Sequence, residues 1–272
     1  MSSHAWARLR DLRYALPGKV GGWLPEPDPA RLARTIREQG LALTFGYFAA
    51  DAAPSRAIVA AYCGLADSLR ASGADGYLSV KAPQIGLDAD AVGRIAANGV
   101  ELLFDAHGPD QADRTLALAL RFTAGCALPA RWRRSLGDAR GLRDTAIRIR
   151  LVKGEWADPQ PEAGDLNAAY LELAAELAGR SAPVAVATHD PVLAQRALGL
   201  LKAAGTPCEL EQLRGLPRRR TMGVAREQQV PVRIYLPQGP GWWPYAINQA
   251  LARPYLPGWW LNDLTGRVPA AA

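Results

Sequence analysis

A closed (βα)8 TIM-like barrel, an α/β fold, is what this sequence predicts, on three observations. Eight short apolar runs punctuate the chain, and the segments between them carry apolar residues at i, i+3 and i+4. Such alternation means parallel strands joined by right-handed crossovers, and eight units indicate closure into a barrel. No G-x-G-x-x-G follows any of the runs, which argues against an open, doubly wound dinucleotide-binding sheet. The 272 residues suffice for one large core, and no linker-like stretch divides them.

Taken in order, residues 4–39 read as helical with a break near Pro17 to Pro29, an N-terminal extension over 1–39 ahead of a barrel over 40–272. Asp28-Pro29 is an N-cap and N1 pair for its second piece. Strand-like runs follow at Leu41–Tyr47, Gly76–Ala82, Val100–Ala106, Phe122–Leu128, Ala146–Lys153, Val184–Thr188, Cys208–Leu213 and Val230–Leu236. Helical spacing fills intervals such as 88–98, 110–119, 165–179 and 190–204. The fifth run is the most telling: Ile147, Ile149 and Leu151 alternate, and Lys153-Gly154 marks the turn out of the strand.

Composition narrows the function classes. Only four of the 32 basic residues are lysines, yet Lys81 and Lys153 both stand where an apolar run ends. The formal charge of +6 comes mainly from arginines scattered over helical segments. The clusters Arg131-Trp132-Arg133-Arg134 and Arg218-Arg219-Arg220 fall at expected helix starts or loops, so a solvated surface is expected and nucleic acid is not a predicted partner. Cys63, Cys126 and Cys208 are odd in number and set in apolar runs, as in reduced thiols of a cytoplasmic protein, and suggest no metal site. No run of about 18 apolar residues exists, so stable membrane insertion is not expected.

Barrel enzymes build their sites on the C-terminal strand ends. Those ends read Gly46-Tyr47, Lys81, Asp105-Ala106-His107, Pro129, Arg150 with Lys153, Thr188-His189-Asp190, Glu211-Gln212, and Arg233 with Tyr235. Two of the chain's three histidines appear among them.

This series resembles the proline dehydrogenase family, flavin-dependent barrels that oxidise proline to pyrroline-5-carboxylate. The matching pieces are Ser79-Val80-Lys81, Arg150-Leu151-Val152-Lys153-Gly154, Ala187-Thr188-His189-Asp190, Glu209 with Leu213 and Gly215, and Arg233-Ile234-Tyr235-Leu236-Pro237-Gln238-Gly239. Trp242-Trp243-Pro244-Tyr245 and Ala252-Arg253-Pro254 follow in family order. The resemblance implies a distorted barrel with noncovalent FAD and a last helix over the barrel mouth. It implies flavin contacts from Arg150, Val152, Lys153, Gly154, Trp156, Thr188, His189 and Glu211, with Arg150 near the ring N5 and Lys153 and His189 on the phosphate side. Catalytic and substrate roles fall by the same resemblance on Lys81, Asp105, Arg150, Tyr235 and Tyr245.

The substrate side departs from the family pattern. Two arginines that clamp the proline carboxylate are expected three and four residues after Tyr245, where Asn248 and Gln249 stand and are expected, with Lys81, Tyr235 and Tyr245, to contact the substrate. Gly46, Ala50, His107 and Ala252 replace expected acidic residues, while Pro129 and Glu211 replace expected glutamines. Neutral amides cannot replace two charge-assisted pairs. The resemblance with these changes implies a FAD-dependent oxidoreductase acting on a proline-like or carboxyl-masked small-molecule amine, free or carrier-bound. Its electron acceptor is left open. The alternative is a noncatalytic barrel serving as a binding or assembly subunit.

Overall fold

Each of the eight expected strands forms, and they close in sequence order. The computed structural model describes residues 28–158, 164–252, 258, 259 and 261. The expected helical stretch before Pro17 and the Arg253-Pro254 pair lie outside the described residues.

The chain runs α1 (Pro29–Glu38), β1 (Ala42–Tyr47), α2 (Ser55–Ser72), β2 (Gly76–Val80), α3 (Ala89–Ala96), β3 (Leu102–Phe104), α4 (Ala112–Arg121) and β4 (Gly125–Pro129). It continues through α5 (Ser135–Leu142), β5 (Ile149–Val152), α6 (Leu166–Glu176), β6 (Val184–Ala187), α7 (Pro191–Ala203), β7 (Cys208–Leu213), α8 (Arg219–Gln228), β8 (Val232–Gln238) and α9 (Trp242–Ala252). Asp28 caps α1 as its sequence suggests, its carboxylate accepting the Ala30 N–H at 3.0 Å with Pro29 in the first turn. All neighbouring strands pair parallel, and β8 closes on β1 from Ala42↔Arg233 to Tyr47↔Gln238.

The apolar core is a sleeve between strands and helices. Leu43, Phe45, Leu78, Val80, Phe104, Leu128, Leu151, Val186 and Leu236 face outward onto Tyr62, Leu65, Ile95, Tyr170 and Leu198, all buried. Each such side chain contributes about 1.5–3 kcal/mol when fully buried. Inside the barrel the separate buried apolar cluster is small: Tyr77, Leu103 and Ala127, with Ala106 and Val152 against it. Most barrel interiors are layered with branched apolar residues; here two tiers of charge take that space.

In the lower tier, Glu209 accepts from Arg148 at 2.7 Å and from Arg233 at 2.9 Å. Arg233 also donates to the Leu43 carbonyl at 2.8 Å, and Arg148 reaches Glu101 at 2.8 Å. The Tyr77 ring lies above, 4.5 Å from the Arg233 guanidinium and 5.2 Å from that of Arg148. This corrects one sequence expectation. Arg233 was grouped with Tyr235 at the mouth, but it is the second residue of β8, about 7 Å lower at the usual strand rise.

Cys63, Cys126 and Cys208 are free thiols. Among the described residues no helix is long and apolar enough to cross a membrane.

Candidate active site

The upper tier begins at β2. Its last residues are fixed from outside by Tyr62 of α2, whose hydroxyl donates to the Ser79 carbonyl at 3.1 Å and accepts the Lys81 N–H at 3.0 Å. So anchored, Lys81 turns its side chain inward. Its ammonium donates to Asp105 Oδ2 at 3.2 Å and Tyr235 Oη at 3.3 Å, and lies 4.0 Å from the Phe48 ring centroid. Asp105 follows β3 directly, its N–H held by the Val80 carbonyl at 3.0 Å. Its second oxygen accepts Ser79 Oγ–H at 2.6 Å and Arg150 Nη1–H at 2.7 Å.

Arg150 stands at the centre of this tier. Its register partners on either side are Ala127 of β4 and Ala185 of β6, so small side chains flank it and leave room for a guanidinium. Nε donates to Glu211 Oε2 at 2.8 Å, Nη1 also reaches Ser79 Oγ at 2.9 Å, and the side chain is only 4% exposed. Glu211 takes a further donor from the Tyr77 hydroxyl at 2.9 Å, so the acidic residue is paired. Its Oε1 is buried without a hydrogen-bond partner.

Ionisation follows these contacts. Burial works against a charged Asp105, but the Lys81 and Arg150 cations and the Ser79 hydroxyl outweigh it and bring the carboxyl down to about 2. Burial, reinforced by neighbouring carboxylates, pushes the Tyr77 and Tyr235 phenols up, so both stay protonated. Burial also lowers His107, with Asp105 opposing, and its ring lies 5.8 Å from Trp156.

Two further groups complete the rim. After β5, Gly154 adopts φ +95°, and a Cβ there would meet Pro129 Cβ at 2.7 Å and Arg131 Cγ at 3.0 Å; only glycine meets both demands. Lys153 precedes it half-buried, Val152 packs on the inner apolar cluster, and Trp156 is 51% exposed. After β6, Thr188 is buried and accepts the Asp190 N–H at 3.2 Å. His189 Nε2 accepts the Leu213 N–H at 3.0 Å and its Nδ1–H donates to the Pro217 carbonyl at 2.8 Å, which sets a neutral tautomer and ties β6 to the loop after β7.

The structure thus brings Lys81, Asp105, Arg150, Glu211 and Tyr235 into one network and leaves Lys153, Gly154, Trp156, Thr188 and His189 along the rim. Tyr245 of α9 joins through aromatic contacts: its ring lies 5.1 Å from Phe48, the residue that also covers Lys81, and its hydroxyl donates to Glu155 at 3.0 Å. The side chains of Asn248 and Gln249 lie outside the described residues. Sequence reasoning missed Phe48, Tyr77 and the bridging role of Ser79. Ser79 sat inside a quoted motif and its inward register was the available signal, whereas Tyr77 and Phe48 read as ordinary apolar positions.

The chain is 29% identical over 217 residues to a proline dehydrogenase from Deinococcus radiodurans, 70% of each chain. In fold it is similar to proline utilization A from Bdellovibrio bacteriovorus, with a TM-score of 0.73 at 16% identity. Proline utilization A from Corynebacterium freiburgense follows, at 0.64 and 17%. These matches cover 88% and 96% of this chain but only 32% and 33% of the solved ones, so it spans about a third of their length. No family model matches. A closed parallel barrel with this series of strand ends, beside such a relative, supports an oxidoreductase of the proline dehydrogenase type. In sequence the chain is similar to a proline dehydrogenase, and in fold to the proline utilization A structures.

The residues present fit a flavin. A flavin ring edge offers carbonyl acceptors and an N–H donor, and its phosphates call for cations. Lys81, Arg150, Lys153 and Thr188 supply donors about the mouth, and the orphaned Glu211 Oε1 is a buried acceptor.

Proposed function

We propose that this chain is a FAD-dependent oxidoreductase that oxidises a C–N bond of a proline-like amine whose carboxyl is masked, as an amide, ester or carrier thioester. One observation carries the reading. The two cations of the upper tier, Lys81 and Arg150, are balanced inside the tier by Asp105 and Glu211, so it presents no net positive charge to a free carboxylate. Asn248 and Gln249 add none.

Arg150, Val152, Lys153, Gly154, Trp156, Thr188 and His189 are the residues that would hold FAD, and the chemistry such a group supplies is acceptance of a hydride from the carbon beside nitrogen. In this reading Tyr235 and Lys81, 3.3 Å apart, orient the polar end of the substrate. Phe48, Trp242 and Tyr245, with ring centroids 5.1–5.8 Å apart, form an aromatic cover that keeps water from Lys81. Free cysteines fit a reducing cytoplasmic setting.

Each lost charge-assisted contact costs about 1.5–3 kcal/mol, so losing two lowers affinity for free proline by about a hundredfold or more. Steady-state assays with an artificial electron acceptor should show prolyl amides and thioesters turned over in preference to L-proline. Efficient turnover of free L-proline would refute the masked-carboxyl assignment. Replacing Lys153 and His189 with alanine should lower flavin occupancy; a colourless wild-type protein that FAD cannot reconstitute would refute the flavin assignment.

A further inference from the structure

Two carboxylates face Arg150, and they are not equivalent. Asp105 is shared: it also accepts from Ser79 and Lys81, so its charge is divided between two cations. Glu211 has Arg150 as its single cationic partner among the described residues, accepting Nε–H on Oε2 with a side chain only 2% exposed. Tyr77 donates to that same oxygen at 2.9 Å and thereby fixes the carboxylate from below. Leaving Oε1 buried without a partner is unfavourable, so this glutamate is a poor device for stability alone.

What it does well is orient. A bond at Nε stops rotation of the guanidinium about its stem, and with Nε held the Nη1 edge is directed at Ser79 and Asp105. The alanines on both sides leave Arg150 space without holding it, the Tyr235 ring, 5.4 Å from its guanidinium carbon, walls it, and the Tyr77 hydroxyl accepts Nη2–H only at a long 3.4 Å, so the short 2.8 Å bond at Nε is the main hold on its stem. Glu211 also cancels a positive charge that no other undivided anion in the tier cancels.

We propose that Glu211, fixed by Tyr77, is a positioning residue for Arg150 that sets both the orientation of its guanidinium and the net charge beneath the bound ligand. The charge part rests on the FAD reading above; the orientation part stands on the network alone.

Two measurements test it. In flavin-free protein, the Arg150 Nε–H is assigned by its loss in Arg150→Lys and its exchange with solvent is followed by NMR. Glu211→Gln should speed that exchange at least tenfold, and Tyr77→Phe should speed it about threefold. In FAD-loaded protein, reduction places negative charge on the ring, so removing the Glu211 charge should favour the reduced form about tenfold. For a two-electron couple that is a rise of about 30 mV in midpoint potential, read by dye-coupled titration. A purely structural glutamate would leave the potential of the retained flavin where it was. Exchange within twofold of wild type, or a potential that stays or falls, overturns the proposal. If Glu211→Gln does not fold, Tyr77→Phe decides by its exchange: unchanged exchange overturns the assignment, faster exchange supports it. If the wild type holds no flavin, the FAD reading fails while the exchange still decides the orientation.

Discussion

Replacing Asp105 with asparagine removes the one carboxylate that both upper-tier cations share. In the folded chain its carboxyl lies at about 2 against an ordinary 3.8, lowered by Lys81, Arg150 and Ser79 in spite of burial. At 1.36 kcal/mol per pKa unit, that depression corresponds to about 2 kcal/mol of stability linked to ionisation. The sign follows from the direction. A lowered folded pKa stabilises the fold above the unfolded value, near pH 4, and the contribution is lost as pH falls through about 2. Denaturant unfolding of wild type and Asp105→Asn should be compared at intervals from pH 6 to pH 2. The stability difference between them should be level above about pH 5 and shrink by about 2 kcal/mol toward pH 2. Near-identical pH profiles displaced by a constant amount would show that Lys81 and Arg150 do not hold Asp105 ionised, and the description of the tier as an ion network would fall.

Gly46→Ala places a methyl 1.8 Å from the Tyr235 hydroxyl, so the phenol must leave Lys81. Overpacking of this kind costs about 1–3 kcal/mol, and thermal unfolding should report it together with loss of activity toward any accepted amine. Tyr170→Phe removes the hydroxyl that donates to the Leu151 carbonyl at 2.9 Å in the sleeve. It should destabilise by about 0.5–1.5 kcal/mol in a urea titration, and an unchanged midpoint would deny that this bond holds the end of β5.

The strands were legible because each is an apolar run bounded by turn residues, and the fully covered sheet of a barrel keeps its outward residues apolar. The Asp28 cap was legible for a local reason: its partner is two residues away. Lys81, Asp105, Arg150 and Tyr235 were found because strand ends and a family-like series coincide on them. The Tyr77–Glu211 bond escaped, since its partners are 134 residues apart and meet only once the sheet has closed. Arg233 was set too high because strand length, not pattern, fixes the tier a residue occupies. Glu211 stood out in the sequence as a replaced glutamine and an implied flavin contact; that it pairs with Arg150 follows only from the closed sheet. The helix-borne Tyr62 and Tyr170 count in a periodicity argument only as apolar bulk, so their hydroxyl bonds were invisible to it.

Those two tyrosines have a mechanical consequence. Tyr62 props the end of β2 from α2, and Tyr170 props the ends of β5 and β6 from α6, with its hydroxyl 3.5 Å from the Ala187 carbonyl. In a ring of eight, β2 and β6 stand diametrically opposed. The outer helices therefore work as struts on two sides of the mouth and set the height at which Lys81 and Arg150 stand relative to one another. Stiffness of the reacting end is borrowed from the periphery, and a substitution that loosens α2 or α6 against the sleeve should tilt one cation against the other without touching either.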